Sequence, residues 1–202
     1  MTQLETVRVD AQSVQRDAAL PRTVTTATTR GALLGGAVVS VAVGLALLVL
    51  PSPSLPAVGA LLGAHAAVQG VLQLVRVQES PLLALVRWLL AAGALVVILL
   101  AAAMFRGYAD SVFLLGLWTG FSWLLRGFAM AVSTTPASVS HVFVYDDLLN
   151  AVIVSAGLFM TAFPFSSLGQ LVGISGALLI VVGLMEALSA ARRRPQALRA
   201  LD

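Results

Sequence analysis

The sequence predicts an all-helical membrane protein whose six transmembrane helices form three tandem hairpin repeats. Three observations predict this fold: the composition, six long apolar segments and an internal repeat. Of the 202 residues, 59% are hydrophobic and 10% are charged, whereas soluble domains carry roughly 25% charged residues. Because so few polar residues cannot cover a water-soluble particle of this size, we expect the chain to lie in a lipid bilayer.

Six apolar segments have lengths near the roughly 20 residues with which an α-helix crosses the hydrocarbon layer. Their hydrophobic residues are continuous rather than alternating, which favours helices over the strands of a membrane barrel. The segments are Gly31–Leu50, Leu55–Val75, Leu82–Phe105, Ser111–Val132, Asp147–Phe163 and Ser167–Leu188. The longest break, Ser133–Asp146, is predicted to be a loop that contains His141.

Polar tails flank the apolar region and divide the chain into three parts. Residues 1–29 form a polar N-terminal tail without the apolar run of a secretory signal, so we expect a cytoplasmic extension. Residues 30–190 form the transmembrane domain. Residues 191–202 form a basic C-terminal tail, in which Arg192, Arg193 and Arg194 suit anchoring on anionic lipid.

The arginine distribution predicts that both termini are cytoplasmic, because cytoplasmic loops carry an excess of basic residues. In a six-helix chain, both tails share a side with the second and fourth loops. The opposite side holds only Arg106, and Arg126 lies within the fourth helix. The ten basic residues on the predicted cytoplasmic side are Arg8, Arg16, Arg22, Arg30, Arg76, Arg87, Arg192, Arg193, Arg194 and Arg199.

An internal repeat relates three hairpins, at about residues 30–81, 82–140 and 141–190. Each hairpin contains two helices, so the three repeats enter the membrane in the same direction, unlike the inverted repeats of many transporters. The middle repeat has Tyr108 where the other two have Pro51 and Pro164. The positions that match are Ser54, Ser111 and Ser167; Gly63, Gly120 and Gly176; and Gly70, Gly127 and Gly183.

Glycines at small-xxx-small spacing predict close helix packing, since small residues let helix backbones approach each other in lipid. The same spacing occurs at Gly31/Gly35, Ser40/Gly44 and Gly169/Gly173. Packing within the chain is one interpretation, and an interface between copies of the chain is the alternative. The glycines expected to pack are Gly59, Gly63, Gly70, Gly116, Gly120, Gly127, Gly176 and Gly183.

These features resemble the HdeD acid-resistance membrane proteins, small bacterial inner-membrane proteins of the DUF308 short-repeat type. The resemblance is carried by three tandem hairpins, by proline at the hairpin turn (LPSPSL, FPFSSL) and by a later G-x6-G (GAHAAVQG, GFSWLLRG, GALLIVVG). It covers roughly Gly31 to Leu188. It implies a six-helix inner-membrane protein linked to acid or stress tolerance, and it carries over no catalytic residue or ligand.

Ionisable side chains inside a membrane are costly and often functional. His65 lies near the predicted bilayer midplane, and Gln69 and Gln73 follow at i+4 and i+8 on the same helix face. One interpretation is a proton-sensing or proton-relaying path, because histidine titrates near physiological pH. The alternative is a neutral histidine, with glutamines that hydrogen-bond between helices.

A second group of polar residues is predicted at the cytoplasmic end of the bundle. Arg126 in an apolar helix needs a carboxylate partner, which Glu186 or Asp147 could supply. Asp146 and Asp147 also suit a helix N-terminus, where the helix dipole favours negative charge. The cluster is either a capping and ion-pair arrangement or a gate whose carboxylates protonate in acid and release Arg126.

The sequence predicts a non-enzymatic protein without cofactor or metal. It has no cysteine, no nucleophile elbow and no phosphate-binding glycine loop. A net charge of +3 without a basic patch argues against nucleic-acid binding, so we expect lipid as the partner and a homo-oligomer as an open alternative. Two functions follow: an HdeD-like protein for acid or envelope-stress tolerance, or a small transporter or proton channel that uses the His65–Gln69–Gln73 face.

Overall fold

A computed structural model describes residues 30–79, 83–133, 141–163 and 165–192. Within these residues it has six α-helices and no β-strand, so the predicted all-helical class is confirmed. The N-terminal tail and nearly all of the C-terminal tail lie outside the described residues. The helices are α1 (Arg30–Val49), α2 (Leu55–Glu79), α3 (Ala84–Phe105), α4 (Val112–Ser133), α5 (His141–Ala162) and α6 (Leu168–Arg192).

Helix lengths and hydropathy agree with a multi-pass membrane protein. The helices α1, α2, α3, α4 and α6 are each long and apolar enough to cross a membrane. At 1.5 Å per residue, the 22 to 25 residues of α2 to α6 extend over roughly 33–38 Å, slightly more than the hydrocarbon thickness. In α5 the apolar part is shorter, Asp147–Ala162.

The fifth helix begins six residues earlier than the sequence predicted. His141 is its first residue, so the expectation that His141 lies in a loop is wrong. The hydropathy criterion failed here because the first turns of α5 carry Tyr145, Asp146 and Asp147 among apolar residues, and a helix continues beyond the bilayer as long as its backbone hydrogen bonds are formed. The side chains of residues 141–146 lie outside the described set.

Three equivalent serines begin the second helix of each repeat in the same way. The hydroxyl of Ser54 accepts a hydrogen bond from the backbone N–H three residues later, at 3.4 Å. Ser111 and Ser167 do the same, at 3.1 and 3.2 Å. A side-chain oxygen at this position satisfies one of the unpaired N–H groups of a helix N-terminus. The repeat register inferred from the sequence therefore corresponds to a repeated local structure.

The turn between α3 and α4 explains why the middle repeat needs no proline. Gly107 has a positive φ of 74°, a conformation that glycine adopts without steric cost. The N–H of Gly107 bonds to the carbonyl of Met104, and that of Tyr108 bonds to the carbonyl of Ala103, both at 3.1 Å. This double hydrogen bond is a Schellman motif, which ends a helix. The middle repeat thus ends its first helix with a glycine.

The closest helix packing occurs between helices of different repeats. Helix α2 packs more extensively on α3, and α4 on α5, than α3 packs on α4 or α5 on α6. Helix α6 packs on α1, where Gly176 and Gly44 approach each other. We call these three interfaces, α2/α3, α4/α5 and α6/α1, the glycine seams. Because the last seam joins the two ends of the bundle, the six helices form a closed ring.

The glycine seams are equivalent in atomic detail. A Cβ added to Gly70 would lie 2.8 Å from the Ile98 side chain, one added to Gly127 would lie 2.5 Å from Val154, and one added to Gly183 would lie 2.7 Å from Val41. The three contacted residues occupy the same position of the repeat. Each seam thus brings two helices together with little room for a side chain at the glycine position.

Other glycines at the same spacing do not pack against the described part of the chain. A Cβ on Gly31, Gly35, Gly169 or Gly173 would meet nothing within 4 Å, so spacing alone overestimated the number of packing positions. Whether these glycines face a second copy of the chain stays a prediction. In contrast, Gly59 and Gly116 lie close to Met104 and Phe165, respectively.

The second helices of the repeats form the interior of the bundle. Helix α4 contacts both α2 and α6, whereas α3 presents most of its surface outward, with Trp88 73% exposed. One apolar core is built around residues that follow the capping serines. Val58, Leu115 and Leu171 are equivalent in the repeat, and all are fully buried. The polar residues described next lie along the same interior faces.

Candidate functional site

Buried polar side chains concentrate on the three second helices. Among the described residues, ten polar or charged side chains are buried, and nine of these belong to α2, α4 and α6. The exception is Ser40 of α1. They are Ser40, His65, Gln69, Gln73, Thr119, Ser122, Arg126, Ser175, Glu186 and Ser189.

Three of these buried hydroxyls, and that of the half-buried Thr161, bond within their own helix. Thr119, Ser122, Thr161 and Ser175 each donate to the carbonyl four residues earlier. This is the ordinary way in which a hydroxyl is satisfied inside a helix. These four side chains therefore need no partner on another helix.

Arg126 and Glu186 form an ion pair in the interior of the bundle. Arg126 comes from α4 and Glu186 from α6, and their side chains are 5% and 0% exposed. An ionised group in a water-poor interior is costly unless a partner of opposite charge balances it. The pair therefore connects helices of two different repeats.

Ser40 connects this ion pair to His65. The Ser40 hydroxyl donates to Glu186 Oε2 over 3.3 Å, and its Oγ lies 3.1 Å from His65 Nε2. The three residues belong to α1, α6 and α2 and are at most 1% exposed. A continuous polar chain therefore runs from His65 through Ser40 and Glu186 to Arg126.

Gln69 donates two hydrogen bonds beside the polar chain. Its amide nitrogen donates to Ser40 Oγ over 3.2 Å and to the carbonyl of Gly36 over 3.4 Å. Gly36 leaves the space for this contact: a Cβ there would lie 3.3 Å from the Gln69 amide and 3.3 Å from Glu186 Oε1. We call Ser40, His65, Gln69, Arg126 and Glu186 the polar cluster.

Gln73 does not contact the polar cluster, although the sequence predicts it on the same helix face as His65 and Gln69. Its amide nitrogen donates over 3.5 Å to the carbonyl of Leu90 on α3, away from the polar cluster. The polar path therefore leaves α2 after Gln69 and crosses to α1 and α6. On the other side of His65, the indole of Trp123 meets the imidazole edge to face, with ring centroids 6.2 Å apart.

Of the two predicted aspartates, Asp147 is not brought to Arg126. Asp147 is exposed, so of the two partners that the sequence offered, Glu186 is the one that Arg126 contacts. The side chain of Asp146 lies outside the described residues. Within the described ranges, no three His, Asp or Glu side chains converge as they would around a metal ion.

The polar cluster occupies positions at which the three repeats differ. Gln69 and Arg126 are equivalent to each other and to Val182, and His65 is equivalent to Ser122. Ser40 corresponds to Val97 and Ile153, which are apolar and buried. The cluster is thus a single, asymmetric site inside a repeated framework.

Sequence reasoning missed Ser40 as a member of the site. The small-xxx-small spacing identifies it only as a small residue four positions before Gly44. A usable signal was present, because Ser40 is the only polar side chain of α1 after Arg30. A lone polar residue in a transmembrane helix is expected to face a polar partner.

Comparison with protein families identifies the repeat. The short repeat of unknown function DUF308 matches residues 36–106 and 148–201, more than half of the chain. The chain belongs to the DUF308 family. No curated protein and no solved structure matches it.

The two DUF308 segments divide the polar cluster unevenly. The first contains Ser40, His65 and Gln69, and the second contains Glu186. Arg126 lies in the intervening residues, on α4. The DUF308 match therefore places four of the five cluster residues within recognisable repeats, and the cation comes from the part of the chain outside the match.

Proposed function

We propose that this DUF308 protein is a non-catalytic, pH-responsive protein of the bacterial inner membrane that supports acid or envelope-stress tolerance. The resemblance to the HdeD proteins supplies the physiological setting. The observation that carries the proposal is the buried Arg126–Glu186 ion pair between two repeats. A stress protein of this kind needs a group that changes charge in acid and a packing interface that responds to the change.

The polar cluster offers both requirements in one place. Protonation of Glu186 removes the charge that balances Arg126. An unbalanced cation in a water-poor interior costs several kcal/mol, so α4 and α6 have to repack or admit water. Acid thereby acts on the contact between repeats, which is the general logic of a charge switch in a packed protein.

The test measures survival of acid-challenged cells that lack the endogenous protein and express variants at equal membrane levels. We expect Arg126→Leu to lose protection. The double variant Arg126→Leu/Glu186→Leu removes both charges, so it should fold and still lose protection. Arg106→Leu, which changes an exposed arginine outside the cluster, should protect like the unmutated protein. Unchanged survival in the Arg126→Leu and double-variant cells would overturn the proposal.

We further propose that both termini are cytoplasmic, on the basis of the arginine distribution. The chain has no cysteine, so single cysteines report topology without background. A cysteine at Tyr108, 61% exposed in the α3–α4 turn, should react with an impermeant maleimide in intact spheroplasts. A cysteine at the exposed Gln78, near the end of α2, should react only after lysis. The reverse pattern would invert the topology.

A second candidate function is a proton or ion channel. It is favoured by the contiguous polar chain from His65 to Arg126, although Gln73 lies apart from it. Proteoliposomes loaded with a pH dye distinguish the two functions. Proton flux that His65→Leu abolishes would establish the channel, whereas impermeable vesicles together with the survival phenotype would support the non-transporting function.

A further inference from the structure

Ser40 has a hydrogen-bonding role that the proposed charge switch does not require. Its side chain is fully buried. Its Oγ lies within 3.1–3.3 Å of three polar groups on two other helices: His65 Nε2, Gln69 Nε2 and Glu186 Oε2. In contrast, Ser175, which is equally buried, bonds only within its own helix. Ser40 therefore connects three polar side chains, and the single hydrogen of its hydroxyl determines which of them donate and which accept.

A hydroxyl has one hydrogen and two lone pairs. The Ser40 hydrogen points to Glu186 Oε2, since a carboxylate can only accept. One lone pair accepts the amide N–H of Gln69. The third contact, with His65, is satisfied only if the imidazole carries a hydrogen on Nε2 and donates it. The geometry therefore selects the Nε2–H form of His65.

We propose that the Ser40 hydroxyl is the bridge through which a proton passes between His65 and Glu186. When His65 is doubly protonated, its Nε2–H proton moves to Ser40 Oγ while the original Ser40 proton moves to Glu186 Oε2. The products are a neutral imidazole with its hydrogen on Nδ1, an intact hydroxyl and a neutral carboxylic acid. Two bonds to hydrogen break, Nε2–H and the original Oγ–H, and two form, the new Oγ–H and Oε2–H, so the net change is the transfer of one proton.

The surrounding charges give the transfer a consequence. The charged and titratable groups around the bridge are His65 and Arg76 on α2, Arg126 on α4 and Glu186 on α6. On α3 and α5, Arg87 and Asp147 are exposed. A proton that arrives on Glu186 cancels the charge that balances Arg126. The relay thus names the last step by which a proton on His65 reaches the ion pair, and it rests on the proposed pH response of the same site.

The tautomer of His65 tests the bridge directly. The protein contains two histidines, so a His141→Gln background leaves His65 as the single ¹⁵N-histidine signal in solid-state NMR of the protein in liposomes. At neutral pH we expect the hydrogen on Nε2. In Ser40→Ala, Gln69 loses one acceptor and can donate to His65 Nε2, 3.4 Å away. We therefore expect the hydrogen to switch to Nδ1.

Matched variants separate the bridge from a general packing effect. Ser40→Thr keeps the hydroxyl and should restore the Nε2–H form, and Ser175→Ala should leave it unchanged. After a pH jump, the infrared band of the protonated Glu186 carboxyl, assigned by its loss in Glu186→Gln, should rise at least roughly tenfold more slowly in Ser40→Ala.

An Nδ1–H tautomer in the unmutated protein would overturn the proposal, as would an unchanged rise of the carboxyl band in Ser40→Ala. These outcomes are independent of the survival assay. If the survival assay refutes the proposed function, the tautomer switch in Ser40→Ala is still expected. If the bridge is refuted, the effect of Arg126→Leu on survival is still expected.

Discussion

The glycine seams and the polar cluster lie on the same helices but follow opposite rules. The seams obey the internal repeat: Val41, Ile98 and Val154 occupy one repeat position and contact equivalent glycines. The polar cluster breaks the repeat, because Arg126 and Val182 occupy one position with unlike chemistry. One set of residues is present three times, and the other is present once.

This difference separates assembly from activity. Helices in lipid associate through close packing, so a packing motif that works once can be copied without new chemistry. A buried charge is expensive and is retained where it has a use. We therefore interpret the seams as the framework and the polar cluster as the functional part, and the following predictions test that division.

The largest effect is expected from removing one half of the ion pair. Glu186→Leu should lower the free energy of unfolding by roughly 3–5 kcal/mol, because Arg126 stays charged and buried without its partner. The double variant Arg126→Leu/Glu186→Leu should recover most of this loss. Unfolding in detergent micelles measures both. A double variant as unstable as the single one would make the pair part of the framework.

The next largest effect is expected at the seams, graded by the space available. A Cβ on Gly120 would lie 2.6 Å from the backbone nitrogen of Thr161, whereas one on the equivalent Gly63 would lie 3.0 Å from its nearest neighbour, the carbonyl of Ala101. Gly120→Ala should therefore destabilise by about 1–3 kcal/mol and Gly63→Ala by less. Thermal unfolding ranks them, with Gly169→Ala as the open-space control. A loss as large in the control as in Gly120→Ala would contradict the seams.

A smaller effect is expected from adjacent glycines of α1 that differ only in what they face. Gly36→Ala presses on Gln69 and Glu186, so it should change the pH dependence of unfolding. Gly35→Ala meets nothing within 4 Å and should stabilise α1 by up to about 1 kcal/mol through helix propensity. If both variants shift the pH profile equally, the contact with the polar cluster is irrelevant.

The smallest effect is expected from Gln73, the predicted site residue that lies outside the polar cluster. Its hydrogen bond to Leu90 is long, at 3.5 Å, so Gln73→Leu should change the free energy of unfolding by less than about 1 kcal/mol. It should leave acid survival intact. Survival lost in Gln73→Leu cells would extend the site along the α2 face and would favour the channel.

The sequence predicted the parts of the fold that depend on local pattern. Helix number and the repeat register follow from hydropathy and spacing, and the register aligns Ser54, Ser111 and Ser167, which cap their helices alike. The sequence could not predict that each glycine seam joins two different repeats. The spacing shows that small residues line one face of a helix, but it does not show which other helix packs on that face.

The candidate site was predictable only in its members with unusual chemistry. His65, Gln69 and Arg126 stand out in apolar helices, and Glu186 was one of two carboxylates offered to Arg126. The choice between Glu186 and Asp147 depends on how far α5 and α6 rotate about their axes. That rotation is set by packing along the whole helix, so the ion pair and the bridge through Ser40 became visible only in three dimensions.

The central claim is that the polar cluster senses acid within a framework that does not. Trp123 lies against His65, with ring centroids 6.2 Å apart, so its emission reports charge on the imidazole. With Trp88 and Trp118 replaced by Phe, the emission of Trp123 in liposomes is measured from neutral to acid pH. We predict a reversible change that Arg126→Leu/Glu186→Leu abolishes and Gly35→Ala preserves. The claim would be contradicted if the emission of the protein that carries only the two Trp→Phe substitutions did not change with pH. It would also be contradicted if the double variant showed the same change.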